Sequence, residues 1–397
     1  MIRIPKRFAF AVIGLLAACS QTSQPLSLQP VDYAQLNGWS DESPEAMIPM
    51  LRAQCAHLAR LPPATRLGGD PSIVHTGTTS SDWSGACAAI AAVQPGRAAA
   101  RQLIETWFAP YEVEADARYT GYFEPEVRGA LTRGGVYQTP VYAKPRSLVR
   151  THATDGRVVV GQWVNGQFAP FPTRAQIDAG ALDGQGLELV WLASPIDLFF
   201  LQIQGAGRVV LPDGSTLRLA YDGRNGQPYV PLGRLLVDEN QLPPDQVSMQ
   251  TIRDWLTAHP DQARTEMERN PNYVFFRRLD DVGPTEGAPG AFGIDLTPGR
   301  SLAVDRSVMP LGLPVWVETT LPTQGGMGGA WHHLTLAQDL GTDINGAGRA
   351  DLYTGWGPQA QAVAGNLHAG GRMVLLLPRR AEVAHTAAAT DASAQDQ

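Results

Sequence analysis

Charge is scarce in this chain of 397 residues: Asp, Glu, Lys and Arg together make up 17% of it. The net charge of −7 is spread along the sequence. That excludes nucleic acid as the main partner, which would need a concentrated basic face. Cysteine is scarcer still, at three residues, so a disulfide-stapled mini-fold and a cysteine-built metal cluster are both excluded. The histidines offer no metal site: His332 and His333 are adjacent, and on a strand they point to opposite faces. No other ligand spacing appears, and neither a metal nor a cofactor is expected. A phosphate-cradling glycine loop and a Gly-x-Ser-x-Gly nucleophile elbow are missing. Gly205-Ala206-Gly207 reads as a link between two strands, which is not a dinucleotide fingerprint. Beyond the N-terminal segment no stretch is apolar enough to span a bilayer.

What is present in quantity is glycine (41) and proline (31), a composition suited to many short strands joined by turns. The length allows two ordinary domains. Arg3, Lys6 and Arg7 precede an apolar run from Phe8 to Leu16, which is too short for a membrane span. Leu16-Ala17-Ala18-Cys19 follows and is similar to the bacterial lipobox, in which the cysteine is diacylated. The expectation is a signal peptide over 1–18, lipidation at Cys19 and a tether over 19–42. Ser20 in place of an aspartate favours the outer membrane, with a body facing the periplasm and the lipid as its only anchor. Cys55 and Cys87 would then mature in an oxidising compartment, either as one disulfide or as two buried thiols.

Ser43-Pro44 opens a helix whose Met50, Leu51, Cys55 and Leu58 share a face, with Pro49 delaying its start. Further helices are expected over 82–93, 96–108, 173–179 (capped by Thr173) and 248–258. Strands are expected at 136–142, 158–164, 187–192, 208–211 and 216–219, the last two joined by the Pro212-Asp213-Gly214 turn. More follow at 302–305, 313–318, 334–339 and 372–377. Pro358 starts a short helix that Gly370 closes. The Ala/Thr/Asp/Gln-rich tail over 381–397 reads as disordered.

Two C-terminal segments carry aspartates at strand ends: Leu302-Ala303-Val304-Asp305 and Ala337-Gln338-Asp339, the latter running on to Arg349-Ala350-Asp351-Leu352-Tyr353. One such aspartate would be read as a turn cap; three in one β-region point to a site. With Tyr119-Thr120-Gly121-Tyr122-Phe123-Glu124-Pro125, the segment from Phe199 through Gln202 and Gln204 to Gly207, and Asn270-Pro271-Asn272-Tyr273, they resemble the membrane-bound lytic murein transglycosylase A family. The aspartates match those that name its 3D domain.

The resemblance implies a mainly β fold with N-terminal helices. A double-psi β-barrel domain over 43–124 plus 279–380 would hold a second, smaller β-barrel inserted over 125–278, with a groove between them for a glycan strand of peptidoglycan. It implies cleavage of the β-1,4 bond between N-acetylmuramic acid and N-acetylglucosamine, leaving 1,6-anhydromuramic ends. The sugar's own C6 hydroxyl is the nucleophile in that reaction, so one carboxyl serves as acid and then as base. By motif position that residue is Asp351, with Asp339 as its partner and Asp305 at the groove floor. Tyr122, Gln202, Gln204, Tyr353 and Trp356 are candidate glycan contacts, with the two glutamines on one strand face. Where the family has small-Ile-basic-Gly, this chain has Asp343-Ile344-Asn345-Gly346. Murein-synthesis or division complexes of the envelope would be its protein partners. Two other readings stand beside the transglycosylase. One is a non-catalytic peptidoglycan-binding lipoprotein. The other is a hydrolase needing a second carboxylate, for which Glu124 and Asp197 are the candidates.

Overall fold

The computed structural model describes residues 26–379 apart from 154, 281, 284, 323–327 and 342–343. The signal peptide, Cys19, the start of the tether, Asp343 and the tail therefore lie outside the described residues. Strand β1 (Leu28–Pro30) is followed by helices α1 (Ile48–Leu58), α2 (Ser84–Ala92) and α3 (Arg97–Trp107), and then by β2 (Phe108–Val113) and β3 (Ala117–Glu124). The middle of the chain holds β4 (Glu126–Ala130), β5 (Thr139–Tyr142), β6 (Val149–His152), β7 (Val158–Val164), β8 (Gln167–Ala169), α4 (Arg174–Asp178), β9 (Glu188–Leu192), α5 (Pro195–Gln204), β10 (Ala206–Val210) and β11 (Thr216–Arg224). Then come α6 (Leu232–Asp238), α7 (Met249–Ala258), α8 (Pro260–Glu268) and β12 (Val274–Leu279). The last part holds β13 (Ser301–Val304), β14 (Pro314–Leu321), β15 (Gly329–Asp339), β16 (Arg349–Trp356), α9 (Gly357–Asn366) and β17 (His368–Pro378).

The strands close two barrels. In the first, β17, β14, β15, β13, β16 and β3 follow one another, and β17 returns to pair with β3. The length of β17 makes the closure possible: His368 to Gly371 pair with β3, and Arg372 to Leu375 with β14. Its C-terminal half also carries β2, and β1 beyond it. Buried runs such as Val315-Trp316-Val317 and Val374-Leu375-Leu376 follow from two covered faces, one toward the barrel interior and one under the N-terminal helices. Met47, Leu51, Trp83 and Ile104 share that core. Cys55 in α1 and Cys87 in α2 are joined by a disulfide, with Cα atoms 5.5 Å apart.

The second barrel is inserted after β3. Its strands run β12, β11, β10, β4, β9, β5, and a parallel bridge from Ala143 to Phe276 joins the two outer strands. Helix α5 packs with α6, α7 and α8 through Phe199, Phe200, Leu236 and Leu256. A three-stranded meander, β6 to β8, stands apart. This is the mainly β architecture with N-terminal helices and an inserted second barrel that the resemblance implies.

Three local expectations fail. Gln202 and Gln204 lie on helix α5, not on a strand. Ser194 caps that helix by accepting from Asp197 N, Pro195 occupies its first turn, and Gly205 ends it at φ 78°. These are ordinary start and stop signals that the alternating glutamines obscured. On a helix, residues two apart face roughly opposite ways, so the two side chains diverge. Gly205-Ala206-Gly207 accordingly joins a helix to a strand. Gly370 does not close α9, which ends at Asn366; it lies within β17.

Candidate active site

The site is built on one rung of the first barrel. Ala303 of β13 is the register partner of Asp351 on one side and of Asp339 on the other. Directly paired residues project to the same face of a sheet, so the two carboxylates stand on one side, two strand spacings or about 10 Å apart at Cα. Only the small side chain of Ala303 stands between them in the register. A bulge in β15 creates this arrangement: Leu302 pairs with Ala337, but Ala303 pairs with Asp339. Without the extra residue, Gln338 would oppose Ala303, and Asp339 would turn to the buried side of Ala337. The rung continues through Thr120 of β3 to His368 of β17.

Asp339 is held on both oxygens. Oδ1 accepts from the Ala291 backbone N–H at 2.9 Å, and Oδ2 from the Tyr122 hydroxyl at 3.0 Å. Burial raises its pKa, opposed by these hydrogen bonds and by that from Leu340, and reinforced by the charge of Asp351. Tyr122 is pushed well above the usual phenol range by burial and then by Asp339, so it remains a donor. Asp351 keeps 20% of its side-chain surface exposed. Its Oδ1 accepts from Arg349 Nη1 at 2.9 Å. Its pKa is raised: burial outweighs the lowering by Arg349 and His368. Two acids on one face, each displaced upward, form the kind of cluster that marks a functional site.

The other expected residues separate from this rung. Asp305 ties loops together: Oδ1 accepts from Ser307 N and Oγ, and Oδ2 from Gly346 N at 2.7 Å. The carboxylate proposed for the groove floor is thus engaged on both oxygens, anchoring the loop that leads into β16. Tyr353 is 1% exposed and donates its hydroxyl to Glu124 Oε1 at 2.6 Å. Its ring meets Tyr122 at 5.3 Å, so it supports Tyr122 from within the core. Trp356 lies under the Arg208 guanidinium, 3.9 Å from the ring centroid. Gln202 donates to Val274 O at 3.1 Å and Gln204 accepts from Phe123 N at 3.0 Å. Both glutamines brace backbone of their own surroundings.

Neither hydrolase candidate stands on the rung. Glu124 is 1% exposed. It accepts from Arg208, Arg218, Tyr353 and Ala288 N. Asp197 pairs with Arg253 and lines a cleft with Phe123, Phe200 and Met249. Phe123 packs on Ala360 and Ala364 of α9, on the face of β3 opposite Tyr122. His333 hydrogen-bonds Glu42 at 3.0 Å. Among the described residues no group of three His, Cys, Asp or Glu side chains is placed to hold a metal ion. Arg349 and Thr120 were not singled out from sequence. The signal was available, since a cation two places before an aspartate on one strand shares its face.

A closed barrel bearing this aspartate rung, interrupted by a second barrel, defines a two-barrel 3D-domain protein. A family model described as "MltA specific insert domain" matches residues 118–277, and one described as "3D domain" matches residues 300–377. Membrane-bound lytic murein transglycosylase A of Vibrio cholerae is 34% identical over 267 residues, which is 66% of this chain and 65% of that protein. The match thus spans just under two thirds of that relative's length. The crystal structure of a membrane-bound lytic murein transglycosylase from Agrobacterium tumefaciens is 33% identical with a TM-score of 0.79, covering 89% of this chain and 98% of that one. A crystal structure of Escherichia coli MltA with bound chitohexaose is 26% identical with a TM-score of 0.63, covering 90% of this chain and 96% of that one. The chain belongs to the membrane-bound lytic murein transglycosylase A family.

Proposed function

We propose that this protein is a peptidoglycan lytic transglycosylase acting on the β-1,4 bond between N-acetylmuramic acid and N-acetylglucosamine. In the first half of the reaction the protonated Asp351 gives its proton to the glycosidic oxygen, and the bond from C1 of the muramic sugar breaks. In the second half the Asp351 carboxylate takes the proton of the C6 hydroxyl. The C6 oxygen closes on C1, which yields the 1,6-anhydro ring and returns the proton to the enzyme. No water, metal or cofactor enters this balance. Asp339, oriented by Ala291 and Tyr122, stabilises the positive charge that develops at the ring.

The observation that carries the reading is the rung itself. One partly exposed acid, its proton held by burial, stands across Ala303 from a second carboxyl whose oxygens both face fixed donors. A hydrolase would ask that second carboxyl to activate a water, a task for which its engaged oxygens are ill suited. The relatives' printed names and the chitohexaose held by the Escherichia coli protein support a glycan substrate. The relatives are named membrane-bound, in keeping with a lipid anchor at Cys19 in the outer membrane, which we include in the proposal.

Digestion of purified sacculi by a soluble form starting at Ser20, with mass spectrometry of the products, tests it. Muropeptides one water lighter than hydrolysis products, absent with Asp351→Asn, are expected. Hydrated reducing ends would identify a hydrolase. Binding of sacculi without any product would identify a peptidoglycan-binding lipoprotein.

A further inference from the structure

The proposed reaction sets one carboxyl two opposed tasks. As an acid it must release its proton, and as a base it must recover one. A group serves both best when its pKa lies near the working pH. Burial alone drives Asp351 away from that balance by penalising its charged form. A cation beside it opposes the penalty, provided that the cation stays in place when the proton arrives.

We propose that Arg349 is a positioning residue that keeps Asp351 competent in both halves of the reaction, and that Thr120 is the anchor that holds Arg349 there. This rests on the transglycosylase reading above. The geometry is specific. Arg349 Nη1 donates to Asp351 Oδ1 at 2.9 Å and to the Ala350 carbonyl at 2.7 Å, and Nη2 donates to Thr120 Oγ1 at 2.7 Å. Two of these three bonds do not involve the carboxylate. The guanidinium therefore stays at its post whether Asp351 is protonated or ionised, fixed to β16 and to the parallel neighbour β3. Among the described residues the hydrogen bond to Asp351 from Arg349 falls on Oδ1, which leaves Oδ2 to carry the proton toward the substrate.

The other groups facing Asp351 do not substitute for Arg349. The charge of Asp339 on β15 repels that of Asp351 and so favours the protonated form, while Tyr122 on β3 is a neutral phenol that donates to Asp339 Oδ2 and brings no cation. β13 offers the side chain of Ala303. His368 on β17 is exposed and two strands away on the rung, so solvent screens its effect. Arg349 is thus the close cation opposing burial. Removing it leaves the proton held more tightly, and Asp351 becomes a poorer acid that stays protonated to higher pH.

The test compares the wild-type soluble protein with Arg349→Met, Arg349→Lys and Thr120→Val, measuring kcat and KM for release of anhydro-muropeptides across pH. The basic limb of kcat/KM reports loss of the Asp351 proton in the free enzyme. Arg349→Met is expected to move that limb up by about one pH unit or more, with kcat falling and KM nearly unchanged. Arg349→Lys restores most of the wild-type profile, and Thr120→Val shifts it in the same direction by less. Titration of carboxyl-labelled aspartate by NMR follows the same group without any turnover. An unmoved limb and an unmoved titration in Arg349→Met would overturn the proposal, as would a rise in KM alone, which would make Arg349 a substrate contact. Failure of the wild-type protein to make anhydro products would sink the transglycosylase reading instead, and the NMR titration would still judge Arg349.

Discussion

Replacing Glu124 by glutamine should destabilise the protein far more than a surface change does, because Glu124 sits where one barrel passes into the other. It ends β3 of the first barrel, and Pro125 leads into β4 of the second. Its Oε1 accepts from Ala288 N at 2.8 Å and Tyr353 Oη at 2.6 Å. Its Oε2 accepts from Arg208 Nε at 3.3 Å and Arg218 Nη2 at 2.9 Å. Every partner is a donor. Whichever way a glutamine amide is turned, its NH2 group must face donors and leaves at least one of them unmet. The guanidinium groups of Arg208 and Arg218, 4% and 5% exposed, lose their carboxylate. Removing one partner of a buried ion pair costs about 3–5 kcal/mol. For domains of this size, that corresponds to a fall in Tm of roughly 6–20 °C. Thermal melts followed by tryptophan fluorescence read the shift, and sacculus digestion reads whether the rung still works at permissive temperature. A fall of less than about 3 °C, equivalent to about 1 kcal/mol, would refute the claim that this carboxylate holds the two barrels together.

Two further outcomes follow from single contacts. Burial would raise the Glu42 pKa, but hydrogen bonds from His333, Arg300 and Leu334 N bring it down from 4.5 to about 2. Its contribution is therefore complete above pH 4.5 and is lost as pH falls toward 2, worth about 3 kcal/mol in total. Urea unfolding across that window should show a stability loss in the wild type that Glu42→Gln lacks, and parallel curves for the two proteins would contradict it. The disulfide between Cys55 and Cys87 spans a separation of 32 residues, and closing a loop of that size stabilises by at most about 4 kcal/mol. Reductant should lower the wild-type Tm by roughly 10 °C and leave the Cys55→Ser/Cys87→Ser double variant unmoved; equal sensitivity of the two proteins would count against the bridge.

The aspartates were legible from sequence because each ends or starts a short apolar strand, where a carboxylate is out of place unless it is used. Their relation was not. That Asp339 and Asp351 share a face depends on the β15 bulge at Gln338, and nothing in Leu336-Ala337-Gln338-Asp339 marks an extra residue. A strict period of two would have put Asp339 on the core side. The error on Gln202 and Gln204 has the opposite origin. Their alternation suited a strand, while the cap at Ser194 and the proline at 195 were local signals for the helix that forms.

Glu124 shows how a site residue and a structural residue can be told apart by counting charges along a hairpin. The Pro212-Asp213-Gly214 turn joins β10 to β11, and it pairs Arg208 directly with Arg218. Two like charges opposite one another on a ladder repel, and burying both is untenable unless an anion stands between them. The pairing thus calls for a carboxylate from another strand at that spot, and Glu124 supplies it. An acid claimed in this way has no lone pairs to spare for a water or a sugar. Asp351 differs in this respect: it has one arginine on one oxygen, part of its surface exposed and an upward-shifted proton affinity. The contrast turns on how many donors each carboxylate must satisfy, and it supports the proposal that Asp351 carries the chemistry while Glu124 holds the barrels.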